Sequence, residues 1–324
     1  MKVLLTDKID SRAGDLLRRK GFDAVDVDTL PATSLQETIK SYDVIVIRSA
    51  TKLCASILRD AGRLKLIVRG GVGVDNVDLD AATDAGIAVA NTPGANMIAT
   101  AELTFSLLLA SARNIPHAHN SVQSKKWERS SFCGIELADK TLGIVGFGRI
   151  GREVAKRALA FGMRVIAYDP YLTTAVFREM KVEQVPPESI FKEADFITLH
   201  TPVTSDTRNI IGEAALKLMK PAVRIINCAR GGLIDEKAAV KALQAGRIGG
   251  LAFDVYEQEP VAADSILLGD NRIITLPHLG ASTQESQAKI ADEVVQVILG
   301  FYNKSNVETV LNPDTLINCK DNRC

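Results

Sequence analysis

The sequence has no excess of charge of either sign. It contains 39 lysine and arginine residues and 39 aspartate and glutamate residues in a chain of 324. A protein that binds nucleic acid or an anionic membrane through its charge carries a basic surface and usually a net positive charge. The balanced composition therefore predicts no nucleic-acid partner and no membrane partner.

The sequence also lacks a hydrophobic segment that could cross a bilayer. Its longest strongly apolar helical pattern, residues 97–112, is interrupted by Glu102 and is shorter than the roughly 20 residues that a transmembrane helix needs. The first residues, MKVLLTD, lack the apolar core and the small-residue cleavage site of a signal peptide. We therefore expect a cytoplasmic protein.

Cysteine and histidine are scarce, with five and four residues respectively. A zinc site needs several of these residues clustered at ligand spacing, and the sequence has no CxxC pair. We therefore expect no bound metal. The cysteines are predicted to be reduced, structural thiols, and they are Cys54, Cys133, Cys228, Cys319 and Cys324.

The most informative stretch is residues 141–170, TLGIVGFGRIGREVAKRALAFGMRVIAYDP. A short apolar run at 142–145 has the form of a buried parallel strand. A helical pattern follows at 149–161, and a second apolar run follows at 165–168. This order predicts a β-α-β unit.

Three glycines lie at the strand-to-helix turn of this unit, Gly146, Gly148 and Gly151, in the spacing GxGxxG. They permit a tight turn, a close approach of the backbone to a pyrophosphate, and close packing of helix and strand. Asp169 ends the second strand, 23 residues after Gly146, where an acid can bind the adenosine ribose. A carboxylate there would repel a 2′-phosphate, so the pattern predicts NAD rather than NADP. The alternative is an ordinary β-α-β turn followed by an acidic loop residue.

Short apolar runs alternate with helical patterns through the whole chain. In the first part the strands are predicted at 3–5, 24–27, 44–47, 66–68 and 87–89, with helices at 10–20 and 34–40 between them. In the second part further strands are predicted at 196–199, 224–227, 250–254 and 272–276. An apolar helix is predicted at 97–113, and an amphipathic helix is predicted at 284–303. The pattern predicts an α/β protein with two doubly wound parallel sheets.

Several motifs carry a resemblance to a known family. They are Arg69-Gly-Gly-Val-Gly-Val-Asp75, Asn227-Cys-Ala-Arg-Gly-Gly232, Asp254-Val-Tyr-Glu-Gln-Glu-Pro260 and Pro277-His-Leu-Gly-Ala-Ser282. With the glycine fingerprint, they make the chain similar to the D-isomer-specific 2-hydroxyacid dehydrogenases over nearly its whole length. The segments Ile47-Arg-Ser-Ala-Thr-Lys52 and Lys126-Trp-Glu-Arg129 resemble the members that act on D-3-phosphoglycerate.

The resemblance implies a domain arrangement. A Rossmann NAD-binding domain at 94–283 is expected to be inserted in a flavodoxin-like substrate domain made of 1–93 and 284–324. A hinge is expected at 91–94, Asn-Thr-Pro-Gly, because proline and glycine break the pattern there. The polar tail from Lys304 is expected to be less ordered, and the ACT regulatory domain of longer members is expected to be absent.

The resemblance implies that Arg230, Glu259 and His278 are catalytic. Oxidation of a secondary alcohol needs a base for the hydroxyl proton, and an imidazole titrates in the range where it can serve. Glu259 would hold the imidazole in one tautomer, and Arg230 offers a planar fork for the substrate carboxylate. Taken singly, each residue has a plain alternative, namely a loop histidine, a solvated glutamate and an arginine that caps a turn. The resemblance decides between these readings.

The substrate is expected at strand ends of the first domain, where arginines and a glycine-rich turn suit a carboxylate and a phosphate. The predicted substrate-binding residues are Arg48, Ser49, Arg69, Gly70, Gly71, Val72 and Gly73. Arg48 is the residue expected to favour a phosphorylated substrate over glyoxylate or lactate. The alternative is that Arg48 forms an ion pair at the surface. Val72 occupies a position where several relatives carry a threonine, so a side-chain hydroxyl contact with the cofactor is not available.

The resemblance also implies further cofactor contacts. Besides the three glycines and Asp169, the predicted cofactor-binding residues are Arg149, Ile150, His200, Thr201, Cys228, Ala229, Asp254, Gly280 and Ala281. Asp254 is expected beside the nicotinamide carboxamide.

The two histidines after Pro116, His117 and His119, are expected at the surface without a partner.

The only tryptophan, Trp127, lies among charged residues at 125–129. An amphipathic ring in that setting suits a homodimer contact, and its alternative is helix packing. The resemblance as a whole implies oxidation of a phosphorylated 2-hydroxy acid, D-3-phosphoglycerate, with NAD. A glyoxylate or hydroxypyruvate reductase is the alternative within the enzyme class, and an NAD-sensing corepressor is the alternative outside it.

Overall fold

The computed structural model of the protein describes residues 1–303 and 308–318, and these residues form two units. The first unit contains Met1–Asn96 and the described residues from Ala281 on, and the second contains Met97–Gly280. Each of these bounds lies three residues from the expected domain boundaries at 93/94 and 283/284. The binding roles assigned to the two domains stay predictions.

A five-stranded parallel sheet forms the centre of the first unit, in the order β2-β1-β3-β4-β5. Its strands are β1 (Lys2–Leu5), β2 (Asp23–Asp26), β3 (Val44–Ile47), β4 (Leu66–Arg69) and β5 (Ala88–Asn91). This is the flavodoxin-like order. Because helices cover both faces, β3 is buried along its whole length, with Val44 and Val46 in one apolar cluster and Ile45 and Ile47 in the other.

A seven-stranded parallel sheet forms the second unit, in the order β12-β11-β10-β9-β6-β7-β8. Its strands are β6 (Thr141–Val145), β7 (Arg164–Tyr168), β8 (Glu183–Gln184), β9 (Phe196–Leu199), β10 (Arg224–Asn227), β11 (Gly250–Phe253) and β12 (Ile273–Thr275). The doubly wound order around β6 is that of a Rossmann fold. The predicted fold class is therefore confirmed. The strand β8 was not predicted, because two exposed polar residues form no hydrophobic pattern.

Helices connect the strands of both sheets and cover their faces. They are α1 (Arg12–Arg19), α2 (Ala32–Ile39), α3 (Ala55–Leu58), α4 (Leu79–Asp84), α5 (Met97–Arg113), α6 (Ile115–Gln123), α7 (Arg149–Ala160), α8 (Thr174–Glu179), α9 (Pro187–Glu193), α10 (Glu213–Leu218), α11 (Glu236–Gln244), α12 (Gln284–Tyr302) and α13 (Asp314–Asn318). The predicted bounds of α5 agree with the structure. The start of α1 is two residues later than predicted, because the carboxylate of Asp10 accepts a hydrogen bond from the N–H of Arg12 and so precedes the helix.

The expectation of a loosely ordered tail is wrong for the part of the tail that the structure describes, and residues 304–307 and 319–324 lie outside it. Val310 forms an antiparallel bridge with Ala90, and the N–H of Leu311 donates to Val89 O over 2.8 Å. This segment covers the outer side of β5 and explains why a strand at the edge of the sheet is fully buried. Val310 is buried in the apolar core of the first unit and Leu316 packs against that core, but two isolated apolar residues form no periodic pattern in the sequence.

Cys54 and Cys133 are exposed free thiols, so the structural role expected for them is wrong, whereas Cys228 is buried. Cys319 and Cys324 lie outside the described residues. Within residues 1–303 and 308–318, no helix is long and apolar enough to span a bilayer, and no group of three or more potential ligand side chains is placed to hold a metal ion.

Asn312 is the residue that anchors the tail, and its removal should destabilise the first unit. Its Oδ1 accepts from Val89 N over 2.8 Å, and its Nδ2 donates to Ile87 O over 2.9 Å. Asn312→Ala leaves both buried backbone groups unpaired, so we expect a loss of about 2–3 kcal/mol in the free energy of unfolding. Urea unfolding followed by circular dichroism, with hydrogen exchange of peptides that cover β5, measures this loss.

The matched control is Asn303→Ala, because Asn303 is exposed at the end of α12. Its free energy of unfolding should stay within about 0.5 kcal/mol of the wild type. Equal stability of the two variants, with unchanged exchange in β5, would show that the tail does not anchor the sheet.

Candidate active site

The glycine turn between β6 and α7 has the geometry of a diphosphate cradle. Gly146 has φ +93°, and a Cβ there would lie 2.5 Å from His200 O, so only glycine fits. A Cβ on Gly151 would collide with Gly146 O. The position of a Cβ on Gly148 has no heavy atom within 4 Å, so this part of the turn is open to a ligand. The turn therefore fits a dinucleotide, whose diphosphate would lie at the first-turn amides of α7.

Asp169 lies directly beside this turn. Its Oδ2 accepts a hydrogen bond from Phe147 N over 2.9 Å, and its Oδ1 accepts from Tyr171 N over 3.0 Å. The carboxylate is partly exposed and keeps lone pairs for ribose hydroxyls. On the first turn of α7, Arg149 is exposed and Ile150 is half-buried.

His200 and Thr201 follow β9 on the other side of the turn, where His200 N donates to Val145 O over 2.7 Å. The His200 ring nitrogen Nε2 lies 3.0 Å from Thr198 Oγ1, and burial lowers the pKa of His200 to about 3. The imidazole is therefore neutral and is unsuited to proton transfer near neutral pH. Its position agrees with the expectation that it lies beside the cofactor turn and does no acid–base work.

The loop after β10 carries Arg230. Asn227, at the end of the strand, donates from Nδ2 to Arg230 O over 2.8 Å and accepts from Ala229 N over 3.1 Å. These two bonds fix the loop in one conformation. The Cys228 thiol is buried against Thr104, and burial raises its pKa to about 12, so it is inert.

His278 and Glu259 form a hydrogen-bonded pair. His278 Nδ1 lies 2.7 Å from Glu259 Oε2, and Glu259 Oε1 accepts from Tyr256 N over 3.1 Å. Because an ionised carboxylate only accepts hydrogen bonds, a neutral imidazole in this pair carries its proton on Nδ1. Its Nε2 is then the proton acceptor.

A buried aspartate holds the backbone next to His278. Asp254 is fully buried, and its two oxygens accept from Leu279 N over 2.7 Å and from Gly280 N over 2.9 Å. Gly280 O in turn accepts from Thr100 Oγ1 of α5 over 3.1 Å. His278 itself has φ +55°, an uncommon conformation for a residue with a side chain, and these bonds keep it there.

The pKa values of the two carboxylates near His278, Asp254 and Glu259, are shifted in opposite directions. Burial raises the pKa of Asp254, and the bonds from Leu279 and Gly280 only partly oppose this. Burial also acts to raise the pKa of Glu259, but the hydrogen bond and charge of His278, with the charge of Arg230, bring that pKa below its ordinary value. Arg230 therefore lies close enough to act on Glu259, and the structure brings the three predicted catalytic side chains together.

The lowered pKa of Glu259 sets the pH range of the pair. The stabilisation from an ionised Glu259 is complete above its unfolded pKa of about 4.3 and is lost as pH falls through the lower folded value. The pair therefore keeps an ionised carboxylate across the neutral range.

Arg48, in the first unit, is half-buried at the end of β3, and its guanidinium donates to Gln287 Oε1 of α12. Burial lowers its pKa, and the charge of Asp7 opposes this, but a guanidinium stays charged at any physiological pH. The alternative reading as one half of a surface ion pair is wrong, because the bonded partner is a neutral amide.

The glycine-rich turn after β4 lies next to Arg48. The Arg69 guanidinium lies over Gly71, Gly71 O accepts from Thr92 N over 3.0 Å, and Val72 O accepts from Asn91 Nδ2 over 2.6 Å. A Cβ on Gly70 would lie 3.7 Å from Arg48 Cγ. The predicted substrate residues of the first unit are therefore neighbours, with Ser49 exposed beside them.

Residues 105–280 match the family model described as D-isomer specific 2-hydroxyacid dehydrogenase, NAD binding domain. The match contains both the glycine turn and the His278 loop. The chain belongs to this family. Since the matched domain binds NAD, the cofactor predicted from Asp169 is confirmed as NAD.

The names of individual relatives agree with this family assignment. A D-3-phosphoglycerate dehydrogenase of Methanocaldococcus jannaschii is 48% identical over 314 residues, which is 96% of this chain and 59% of the relative. The chain thus spans about three fifths of that relative's length. A solved protein of Thermus thermophilus is 33% identical with a TM-score of 0.87, covering 96% of this chain and 100% of its own.

A further solved structure is the D-lactate dehydrogenase of Aquifex aeolicus, complexed with NAD and lactic acid. It has a TM-score of 0.83 and 29% identity, and it covers 96% of this chain and 99% of its own.

Part of the candidate site has no signal in the sequence. Two hydrogen bonds that hold predicted site residues in place are those from Tyr256 N to Glu259 and from Arg48 to Gln287. A tyrosine backbone N–H and a helical glutamine have no sequence motif that would predict these bonds. His119 is exposed as expected, whereas His117 is half-buried. Its Nε2 is enclosed and has no hydrogen-bond partner among the described residues, which agrees with the expectation that this histidine lacks a partner. Trp127 is 82% exposed, so its alternative reading as a helix-packing residue is wrong.

Glu259→Gln should inactivate the pair with little effect on the fold. A glutamine amide can donate to Nδ1, which places the imidazole proton on Nε2 and removes the acceptor. We expect kcat/KM for NAD reduction by a 2-hydroxy acid to fall by about 10²–10⁴. Steady-state absorbance of NADH measures this, with Glu257→Gln as the control, because Glu257 is exposed in the same loop. Equal kcat/KM in the two variants would contradict the role of the pair.

Proposed function

We propose that this protein oxidises D-3-phosphoglycerate to 3-phosphohydroxypyruvate with NAD, the reaction that opens the phosphorylated route to serine. The observation that carries the proposal is the hydrogen bond between His278 Nδ1 and Glu259 Oε2, beside the charge of Arg230, in an NAD-binding domain. The relatives named D-3-phosphoglycerate dehydrogenase, at 40–48% identity, support the choice of substrate.

The pair supplies the proton acceptor of the reaction. As the hydroxyl carbon loses a hydride with its electron pair, His278 Nε2 accepts the hydroxyl proton, and the carbon–oxygen single bond becomes a carbonyl. NAD, when bound at the glycine turn, supplies the hydride acceptor. The imidazolium that forms is stabilised by the ionised Glu259, whose lowered pKa keeps it charged. In the reverse direction His278 returns the proton.

Arg230 prepares the substrate for this step. Its guanidinium donates from Nη1 to Ala229 O over 2.6 Å, which orients the side chain within the loop after β10. A guanidinium offers its N–H donors in a planar fork, and this geometry suits the substrate carboxylate and the developing carbonyl oxygen. Its positive charge favours the alkoxide character that grows as the proton leaves.

Arg48 and the turn after β4 are proposed to bind the anionic groups of the substrate. A half-buried guanidinium interacts more strongly with an anion than a solvated one does, because less water screens the charge. Its present partner, the neutral Gln287 amide, leaves the charge of Arg48 uncompensated by that bond. A phosphate is the substrate group that uses this charge best.

Arg48→Ala should raise the KM for D-3-phosphoglycerate at least about tenfold, because a charged hydrogen bond is lost. The KM for an unphosphorylated 2-hydroxy acid should change less than about threefold. Initial rates of NADH formation with both substrates measure the difference. Arg59→Ala is the control, since Arg59 is exposed at the end of α3. Equal effects on both substrates would remove the phosphate assignment, and faster turnover of glyoxylate or hydroxypyruvate by the wild type would favour the reductase alternative.

We also propose a homodimer that uses the exposed face around Trp127. Trp127, Val122 and Ile115 are 82%, 53% and 52% exposed, and they lie on α6 and the segment after it. Large exposed apolar side chains close together in sequence are typical of a protein interface. Light scattering at micromolar concentration should give twice the mass of the chain, and Trp127→Glu should give the monomer mass. A monomeric wild type would contradict the dimer.

A further inference from the structure

The turn that carries Arg48 is held at both ends by two side chains from elsewhere in the first unit. We propose that Asp7 and Asn76 are positioning residues that set the affinity of the 48–51 turn, Arg48–Thr51, for the anionic substrate. This inference rests on the proposed function, because it takes the turn as the place where the anionic groups bind.

Asp7 accepts four hydrogen bonds and has no lone pair to spare. It lies just after β1 with φ +60°. Its Oδ2 accepts from Arg48 N over 2.8 Å and from Thr51 N over 2.9 Å. Its Oδ1 accepts from the hydroxyls of Thr51 over 2.6 Å and of Thr29 over 2.8 Å. Since a carboxylate has about four acceptor sites, Asp7 is fully occupied in holding the turn.

Asn76 holds the same two residues through their carbonyl groups. Its Nδ2 donates to Arg48 O and to Thr51 O, each over 2.6 Å. Both N–H donors of the amide are therefore used. The N–H groups of Arg48 and Thr51 bind Asp7, and their C=O groups bind Asn76.

Asp7 and Asn76 together form a clamp on the 48–51 turn. The clamp holds the two ends of the turn and leaves its middle, Ser49 and Ala50, exposed. Two adjacent amides, the Ser49 hydroxyl and the Arg48 guanidinium form a set of donors suited to an anion. An anion needs donors. The carboxylate of Asp7 has none, and both N–H groups of the Asn76 amide are used within the clamp. The role of these two residues is therefore to fix the turn rather than to bind the substrate.

The direction of the change in the substrate KM distinguishes a positioning role of Asp7 from a purely electrostatic one. A carboxylate near an anion site repels the anion, so removing the charge of Asp7 would lower the substrate KM if charge were its main effect. If Asp7 holds the turn, Asp7→Asn raises the KM, because an amide offers a single acceptor oxygen and turns an N–H₂ group toward other donors.

The experiment compares two isosteric variants, Asp7→Asn and Asn76→Asp, in initial-rate assays. We expect the KM for D-3-phosphoglycerate to rise about tenfold in each, because several hydrogen bonds to the turn are lost or reversed. The kcat should change less than threefold, and the KM for NAD should not change, since both residues lie in the first unit and the glycine turn lies in the second. Asp28→Asn is the matched control, an acid in the loop after β2 that makes none of the bonds of the clamp.

Two further measurements keep the test decisive. Thr51→Val keeps the shape of the side chain and removes one of the four bonds to Asp7, together with a longer contact of 3.3 Å between Thr51 Oγ1 and Thr6 Oγ1. We expect its KM to rise about threefold, and this variant provides the test if either isosteric variant fails to fold. A wild type that does not oxidise D-3-phosphoglycerate contradicts the proposed function and this inference with it. An active wild type whose folded variants keep its substrate KM, or lower it, overturns this inference alone.

Discussion

The hydrogen bonds from Leu279 N and Gly280 N to the buried carboxylate of Asp254 are the interaction on which the proposed catalytic arrangement depends. Burying a carboxylate away from water costs free energy unless the carboxylate is hydrogen-bonded. Here the donors are two backbone N–H groups of the loop that carries His278. The loop therefore has one favourable position, in which the imidazole meets Glu259. Catalysis by a positioned base requires this accuracy, because a small displacement removes the hydrogen-bond geometry.

Aspartates that follow strands hold three of the predicted ligand-binding loops through backbone N–H groups. Asp254 follows β11, Asp169 follows β7 and Asp7 follows β1, and each carboxylate accepts two backbone N–H groups. Those groups belong to the His278 loop for Asp254 and to the 48–51 turn for Asp7, whereas Asp169 accepts one from the glycine turn and one from its own loop. In parallel sheets the loops at the carboxyl ends of the strands carry the function, and they have few backbone partners of their own. A short acidic side chain at the strand end gives such a loop a fixed shape.

Much of the fold could be predicted from the sequence, because its strands are buried on both faces and appear as short apolar runs. Residues 44–47 and the helix at 97–113 agree with the structure to the residue. The glycine turn was recognisable because backbone conformation and close packing at Gly146 and Gly151 restrict the residue type directly. The tail could not be predicted, since Asn312 bonds the backbone of Val89, 223 residues away. The clamp on Arg48 and the hold on the His278 loop depend on tertiary contacts in the same way.

The central claim is that His278 Nε2 is the proton acceptor, and the pH dependence of kcat/KM for the proposed reaction, oxidation of D-3-phosphoglycerate, tests it most directly. In the wild type, kcat/KM should fall with decreasing pH through one ionisation, because a protonated imidazole cannot accept the hydroxyl proton. In folded His278→Asn, the rate should be lower by about 10³ or more, and that ionisation should be missing from the profile. A His278→Asn variant with the wild-type rate, or with the same ionisation, would contradict the account.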